Sequence, residues 1–172
     1  MNSYTFFEDI AVYESKNEKN NILCGYITIH GEIIADAQFD VAWPFYKGFA
    51  RVKKGNYWSV INTQGDICLP FDSKYERIEI CDDLFKVTKA DRFGFVDATN
   101  TVIVPLEYDW CFNFFEHVAI VKKNNLYGVV HDTGTLVADC VYSCIKPFAQ
   151  GKAIACKDSV WGVLHIDGSF SV

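Results

Sequence analysis

The sequence predicts an all-β protein made of five units of about 34 residues, each with three antiparallel strands. A strand-like segment that ends in a turn glycine recurs, apolar and polar residues alternate before it, and no stretch sustains a helical period. The second residue of the recurring segment lies at position 25, 59, 94, 128 or 162, so the steps are 34 or 35 residues. Such spacing indicates one supersecondary unit stacked on copies of itself.

The repeats predict a single domain over residues 1–172, with units at about 6–38, 45–74, 81–107, 114–141 and 148–172. We expect an open or partly closed solenoid. The alternative is a propeller-like closed ring, because five whole units with no strand exchanged between the ends fit both arrangements.

The first strand of each unit, strand A, alternates as a half-buried strand requires, for example at residues 49–53 and 118–122. Short turns such as 54–56 (Lys-Gly-Asn) follow it, and glycine and asparagine suit tight hairpins. The first of these connections carries a polar insertion at 14–21, where we expect a surface loop.

The second strand, strand B, ends in a turn that we expect to be a type I turn with a glycine bulge. The last residue of this turn occupies a left-handed position, which glycine and asparagine tolerate best. The five residues are Gly31, Gly65, Asn100, Gly134 and Gly168. Polar residues near the start of the turn are expected to bond its backbone, and they are Thr28, Asn62, Asp97, His131 and His165.

The third strand, strand C, leads into a linker that carries conspicuous aromatic residues before the next strand A. Trp43 and Trp110 lie in two of these linkers and add large contact areas beside a loop. Residues 72–83 come nearest to a helical pattern and have room for one helical turn.

Several recurring motifs resemble the WG β-repeat family, also called KWG repeats. They are Trp161-Gly162, the Ala-x-Val-Lys-Lys strands at 50–54 and 119–123, and the Val-Pro-Leu-Glu-Tyr-Asp segment at 104–109. Trp58 is followed by Ser59, and Cys24, Phe93 and Tyr127 replace the tryptophan. The resemblance covers nearly the whole chain. It implies a β-repeat fold, a mainly bacterial family, binding or scaffolding roles and no shared catalytic motif.

Composition and charge narrow the classes of function. The chain has 22 acidic and 16 basic residues, so its net charge of −6 argues against binding to nucleic acid or to an anionic membrane. The first residues lack a secretory signal, and no apolar run reaches the roughly 18 residues of a membrane span. Seven scattered cysteines favour a reducing cytoplasm with free thiols.

Catalytic and metal-binding motifs are missing from the sequence. It has no P-loop, no Gly-x-Ser-x-Gly and no His-Glu-x-x-His, and the Cys140/Cys144 pair lacks zinc-site spacing. We therefore expect no enzyme, no cofactor and no metal. His131 and His165 would form a ligand pair only if their rings converged.

Acidic residues gather in the linkers, whereas lysines gather near the hairpin tips. Stacked repeats line equivalent positions along one edge, so we expect an acidic edge that meets a basic partner protein. The alternative is that these charges serve solubility and the protection of sheet edges. The candidate partner-binding residues are Trp43, Asp82, Asp83, Glu107, Asp109, Trp110 and Glu116.

The function that follows is a non-catalytic protein-binding module. Its most concrete version is a bacterial immunity or inhibitor protein that covers a basic partner. The alternative is a scaffold or a receptor for a small ligand or glycan, which would use Trp58, Phe93, Tyr127 and Trp161 as an aromatic ladder.

Overall fold

The computed structural model describes residues 5–73 and 75–172, which form antiparallel strands and, in this part of the chain, one short 3₁₀ helix. The predicted all-β class is confirmed. Contacts divide the chain into two compact units: unit 1 holds the described residues up to Asp82 with Ala98–Asn100, and unit 2 holds Asp83–Asp97 with Thr101–Val172. A single domain stays a prediction. Within the described residues, no helix has the length and apolar character to cross a membrane.

Unit 1 contains two four-stranded sheets in which each strand pairs with its neighbours in the chain. The first sheet has the order β1 (Phe6–Phe7), β2 (Ile10–Lys16), β3 (Ile22–Thr28) and β4 (Ile33–Phe39). The second has the order β5 (Val41–Ala42), β6 (Phe49–Lys54), β7 (Tyr57–Asn62) and β8 (Ile67–Leu69). The 3₁₀ helix at Phe71–Ser73 and strand β9 (Arg77–Cys81) follow.

Unit 2 begins with β10 (Leu84–Lys89), β11 (Arg92–Asp97) and β12 (Val102–Tyr108), which pair in that order. The remaining strands form a seven-stranded sheet in chain order. They are β13 (Trp110–Cys111), β14 (Val118–Lys123), β15 (Leu126–His131), β16 (Leu136–Ile145), β17 (Lys152–Lys157), β18 (Val160–His165) and β19 (Phe170–Ser171). No sheet in the described part of the chain closes on itself.

The linkers contain strands that the sequence analysis missed. Val41 of β5 pairs with Lys53, Trp110 of β13 pairs with Lys122, and Ile145 at the end of β16 pairs with Ala155. Three strands per 34-residue repeat is therefore an incomplete description, because the linker before each of these strands A supplies a further strand beside it. The physical reason is that the edge of strand A carries backbone groups that need hydrogen-bond partners.

Two smaller expectations also need correction. The insertion predicted at 14–21 is shorter, because β2 extends to Lys16 and β3 begins at Ile22. The Asn17 side chain closes the remaining loop by accepting from the amides of Lys19 and Asn21, both at 3.0 Å. In the segment 72–83, which has room for one helical turn, the 3₁₀ helix Phe71–Ser73 reaches only the first residues. Strand β9 (Arg77–Cys81) occupies the later part.

The turns after strand B have the predicted left-handed residue in all five places. The φ angles are 84° at Gly31, 91° at Gly65, 65° at Asn100, 87° at Gly134 and 87° at Gly168. These turns thus confirm the expected backbone, with glycine replaced once by the residue that tolerates this region next best.

Polar side chains bond the turns as expected in four copies. Asn62 Oδ1 accepts from the amides of Gln64 at 3.0 Å and Asp66 at 2.8 Å, and Thr28, Asp97 and His131 accept from nearby turn amides in the same way. For His165 the expectation is wrong, because its Nε2 lies 3.4 Å from the Ser171 hydroxyl instead.

Three of the turn glycines also lie close to strand C of the preceding 34-residue repeat. A Cβ atom added at Gly65, Gly134 or Gly168 would lie closer than 3.0 Å to the carbonyl oxygen of Ile34, Ile103 or Val137, respectively. Each of these carbonyls comes three residues after the preceding turn residue. The copies therefore approach one another so closely at these positions that only glycine fits.

Each unit has its own buried cluster of apolar side chains. Tyr26, Phe39 and Phe45 pack together in unit 1, with the rings of Tyr26 and Phe45 in an edge contact at 4.9 Å. Tyr142 and Phe148 belong to the corresponding cluster in unit 2. Phe39, Phe45, Tyr142 and Phe148 come from the segments between a strand C and the next strand A, whereas Tyr26 belongs to β3.

Candidate functional site

Unit 2 contains an open groove of about 790 Å³, a volume typical of ligand sites. One wall is the segment from Trp110 to Phe115, the floor is β14, and the other wall is the end of β16 with the residues after it. Its lining residues are Lys86, Trp110, Cys111, Phe112, Asn113, Phe115, Val118, Ile120, Tyr127, Ser143, Cys144, Ile145, Lys146, Pro147 and Phe148.

Three aromatic side chains on the first wall reach solvent. Trp110 is 43% exposed, Phe112 48% and Phe115 63%, whereas Cys111 between the first two is fully buried. Strand alternation explains the order at Trp110, Cys111 and Phe112, since successive side chains point to opposite faces. Phe115 lies beyond β13, where it pairs with Val118, and all three aromatic side chains line the groove. The three exposed rings therefore form one apolar surface, which we call the aromatic wall.

Backbone hydrogen bonds hold the aromatic wall in place. The Phe112 amide donates to the Ile120 carbonyl at 2.9 Å, and the Phe115 amide donates to the Val118 carbonyl at 2.9 Å. The ring of Trp110 lies 4.8 Å from that of Phe93 and 6.4 Å from that of Phe112. The wall is thus preorganised, so binding to it costs little ordering of the chain.

The charged residues that line the groove are both lysines. Lys86 Nζ lies 2.6 Å from Asn113 Oδ1 and 6.0 Å from the centre of the Trp110 ring. Lys146 follows the end of β16 and is exposed. No carboxylate lies among the described lining residues, so the groove is cationic on an acidic chain.

A smaller pocket of about 260 Å³ occupies the corresponding place in unit 1. Phe7 and Ile10 pair across a two-residue turn there, as Phe115 and Val118 do in unit 2. The pocket is lined by Thr5, Phe7, Ile10, Val12, Tyr26, Ala42 and Pro44. The groove is therefore present in both units, and in unit 2 its lining includes Trp110, Phe112 and Phe115.

Trp43 and Trp110, which the sequence analysis treated together, hold different places. The Trp43 amide donates to the Arg51 carbonyl, just as the Phe112 amide donates to the Ile120 carbonyl. Trp43 is thus the counterpart of Phe112. Its ring lies in unit 1 under the Arg51 guanidinium, 4.5 Å from ring centre to Cζ, so Trp43 is already covered in part by its own chain.

The side chain of Asp109 is bonded within the protein to a backbone amide and to an arginine. Its Oδ2 accepts from the Asn124 amide at 2.7 Å, its other oxygen pairs with Arg92, and its own amide donates to the Lys122 carbonyl at 2.8 Å. The side chain therefore fixes the hairpin between β14 and β15.

Glu116 likewise binds backbone. Its Oε1 accepts from the Gln150 amide and its Oε2 from the Gly151 amide, both at 2.8 Å. Glu8 makes the corresponding bond to the Gly48 amide at 2.9 Å in unit 1. In each case a glutamate in the turn before strand A holds the equivalent turn of the following copy.

The other predicted carboxylates lie at the surface. Asp82 pairs with Lys47 in unit 1, and Glu107 pairs with Lys123 across 3.1 Å in unit 2. Asp83 is exposed at the start of unit 2. Of the seven residues selected from the sequence, the structure places Trp110 in the groove and none of the carboxylates among its lining.

Sequence reasoning missed Phe112, Phe115, Lys86 and Lys146 as site residues. A usable signal was present, because residues 110–115 read Trp-Cys-Phe-Asn-Phe-Phe, the densest aromatic segment of the linkers. The two lysines carried no local signal, since Lys86 lies in β10 and Lys146 follows the end of β16, far away in the chain.

The nucleophilic and titratable side chains of unit 2 include a buried thiol and two histidines that contact one aspartate. Burial raises the pKa of the Cys111 thiol to about 12, with Lys86 opposing the shift, so this thiol is a weak nucleophile. His117 Nδ1 lies 2.7 Å from Asp132 Oδ2, and His131 Nδ1 lies 2.9 Å from Asp132 Oδ1. Among residues 5–73 and 75–172, no three His, Cys, Asp or Glu side chains converge as metal ligands would.

The residues of the predicted aromatic ladder lie in different places in the structure. Tyr127 lines the groove, whereas Trp161 is an exposed residue of β18 outside it. Trp58 belongs to unit 1, where Lys53 lies 5.5 Å from the centre of its ring. The structure thus brings one member of the ladder to the groove.

Comparison with protein families gives a match to the WG containing repeat at residues 25–58, 93–127 and 127–161. Each matched segment starts within a strand B, and together they cover more than half of the chain. The comparisons with curated proteins and with solved structures gave no match. The family match, the recurring left-handed turns and the shared strand register show that the chain belongs to the family of proteins with the WG containing repeat.

Proposed function

We propose that this protein is a non-catalytic protein-binding module and that the groove of unit 2 is its contact surface. The observation that supports this is the aromatic wall, in which Trp110, Phe112 and Phe115 are exposed yet held by backbone bonds. Large aromatic side chains in a preorganised position carry much of the binding energy of protein interfaces.

The test is the capture of partners from the organism that encodes the chain, with a matched pair of variants. Phe115→Ala removes an aromatic ring of the wall. Tyr46→Ala is the control, because Tyr46 holds the same place in its hairpin, is 56% exposed and lies outside the groove. We expect one stoichiometric protein that wild type and Tyr46→Ala retain and Phe115→Ala loses.

Equal retention of that protein by Phe115→Ala and wild type would contradict the groove as the contact surface. Both variants should first give the circular dichroism spectrum and melting temperature of a folded protein, because exposed aromatic residues are normally tolerant of truncation.

A more specific proposal is an immunity or inhibitor protein that covers a basic partner. The net charge of −6 and the exposed Asp82, Asp83 and Glu107 support it. Asp109 and Glu116 bind backbone within the chain, so they are unsuitable for its test. The double variant Asp83→Lys, Glu107→Lys should weaken binding to the partner, and unchanged affinity at low salt would contradict the basic-partner version.

A receptor for a small ligand or glycan is the second candidate, because a volume of about 790 Å³ also suits a small molecule. A thermal-shift screen of metabolites and glycans distinguishes it. A hit that stabilises wild type and Tyr46→Ala but not Phe115→Ala, with no protein captured, would favour this candidate over a protein partner.

The organisation into five units in an open or partly closed arrangement also belongs to this proposal. Its support is the recurrence of the left-handed turn residue five times along the chain. Small-angle X-ray scattering distinguishes an elongated particle, which we expect, from the compact particle of a closed ring.

A further inference from the structure

We propose that the groove of unit 2 takes an acidic segment of its partner, with a large apolar or aromatic side chain on the aromatic wall and a flanking carboxylate beside Lys86 and Lys146. This inference rests on the proposed role of the groove as the contact surface, not on the basic-partner version, and it adds the chemistry of the bound segment.

The first observation that supports this inference is the charge of the residues that line the groove. Lys86 and Lys146 are its charged members, and no Asp or Glu lies among the described lining residues, although the chain has six more acidic than basic residues. An acidic protein with a groove lined by ammonium groups is electrostatically complementary to a carboxylate at that place.

The second observation that supports this inference is the position of Lys86 beside the aromatic wall. Its ammonium lies 6.0 Å from the centre of the Trp110 ring and 2.6 Å from Asn113 Oδ1, so the charge is held directly beside the aromatic wall. An apolar group that covers Trp110 would displace water around this ammonium. A carboxylate next to that group would then interact with Lys86 more strongly than in open water.

The two carboxylates that flank the aromatic wall in sequence, Asp109 and Glu116, are bonded to groups of the fold. Glu116 follows Phe115 directly, but both of its oxygens accept from the amides of Gln150 and Gly151. Asp109 precedes Trp110, but it binds Arg92 and the Asn124 amide. The acidic residues that flank the wall in sequence are therefore committed to the fold.

The same arrangement disfavours basic segments. A lysine or arginine beside the bound apolar side chain would lie close to Lys86 and Lys146, and such like-charge contacts penalise the wrong partner. The groove would thus discriminate by charge as well as by the apolar side chain.

The experiment uses three fluorescein-labelled hexapeptides with two central phenylalanines, flanked by four glutamates, four glutamines or four lysines. Binding to the full-length protein is measured by anisotropy at low and high salt. We expect the glutamate peptide to bind about tenfold more tightly than the glutamine peptide at low salt, with the lysine peptide weakest, and the difference to shrink at high salt.

Two variants separate charge from apolar contact. The double variant Lys86→Gln, Lys146→Gln should lose the preference for glutamate and keep the affinity for the glutamine peptide. Phe112→Ala should weaken both peptides. Lys152→Gln is the control, because Lys152 is an exposed lysine outside the groove lining, and it should behave as wild type.

Each outcome decides one claim. Equal binding of glutamate and glutamine peptides to wild type, with both lost in Phe112→Ala, overturns the acidic-segment inference and leaves the groove as a protein-binding site. Binding that Phe112→Ala does not change overturns the inference too, since the peptides then bind elsewhere. If no peptide binds, the acidic-segment inference is wrong, and the partner capture with Phe115→Ala still decides the proposed function separately.

Discussion

The carboxylate of Asp109 accepts a hydrogen bond from the backbone amide of Asn124 across 2.7 Å. Asp40 makes the same bond to the amide of Gly55 at 2.6 Å in unit 1. In both places a linker aspartate, one residue before a short linker strand, fixes the tip of the next A–B hairpin. Part of the linker acidity therefore serves the fold rather than a partner.

Replacement of Asp109 by alanine should lower the free energy of unfolding by about 1–2 kcal/mol, because the Asn124 amide loses its acceptor and Arg92 its partner. Urea unfolding measures this. Asp83→Ala is the control and should change stability by less than about 0.5 kcal/mol, because Asp83 is exposed. Equal stability of the two variants would show that the Asp109 bonds contribute nothing.

Glu116 allows a graded test of the contact between successive turns. Glu116→Ala removes the acceptor for the amides of Gln150 and Gly151 and should destabilise the protein by about 1–3 kcal/mol. Glu116→Gln keeps one oxygen acceptor and should lie between alanine and wild type. Hydrogen exchange of the Gln150 and Gly151 amides provides the local readout, and unchanged protection in Glu116→Ala would rule out the bond.

The turn glycines give a prediction with a control inside the same chain. Gly31 and Gly134 have similar φ angles of 84° and 87°, but only at Gly134 would a Cβ meet a neighbouring carbonyl, that of Ile103. Gly31→Ala should cost about 1 kcal/mol from backbone strain alone.

Gly134→Ala should cost about 1–3 kcal/mol more than Gly31→Ala, because the backbone of a neighbouring strand must also shift. Thermal or urea unfolding compares the two variants. Similar losses at both positions would mean that the close contact between Gly134 and Ile103 is absent in solution.

The Cys111 thiol should react slowly and make stability depend on alkaline pH. Its pKa is raised by burial from the ordinary 9.0 to about 12, so the unfolded chain loses this proton at lower pH than the folded protein does. The contribution to stability is therefore fully present below about pH 9 and is lost as the pH rises towards 12.

Iodoacetamide labelling of the folded protein at pH 8.5, read by mass spectrometry, checks this point. Cys111 is fully buried and should be modified much more slowly than the half-buried Cys144. Equal rates would indicate that unit 2 opens readily around β13. Cys111→Ser should flatten the loss of stability between pH 9 and pH 11.

Local sequence signals predicted those parts of the fold that depend on local physics. Gly31 and Asn100 were identifiable as left-handed turn residues because few other residues tolerate that conformation. The sequence showed that Ser59 stands where the other copies have glycine, but it did not show why. In the structure the buried Ser59 hydroxyl donates a hydrogen bond to the Leu69 carbonyl.

The linker strands and the groove depend on contacts that no short segment encodes. Trp110 pairs with Lys122, and only that register turns Trp110 and Phe112 outward while Cys111 is buried. Lys86 reaches the same surface from β10, which the sequence alone could not show. Acidity in the linkers suggested a binding edge, but whether a carboxylate faces solvent or a backbone amide is decided by tertiary structure.

Site-specific photo-cross-linking tests the central claim most directly. A benzoylphenylalanine is placed at Phe112 in the groove or at Tyr46 in unit 1, and both proteins are irradiated in cells of the encoding organism. The account predicts one cross-linked protein partner from position 112 and none from position 46. Cross-linking from position 46 alone, or no protein cross-linked from position 112 while capture still yields a partner, would contradict the groove of unit 2 as the binding surface.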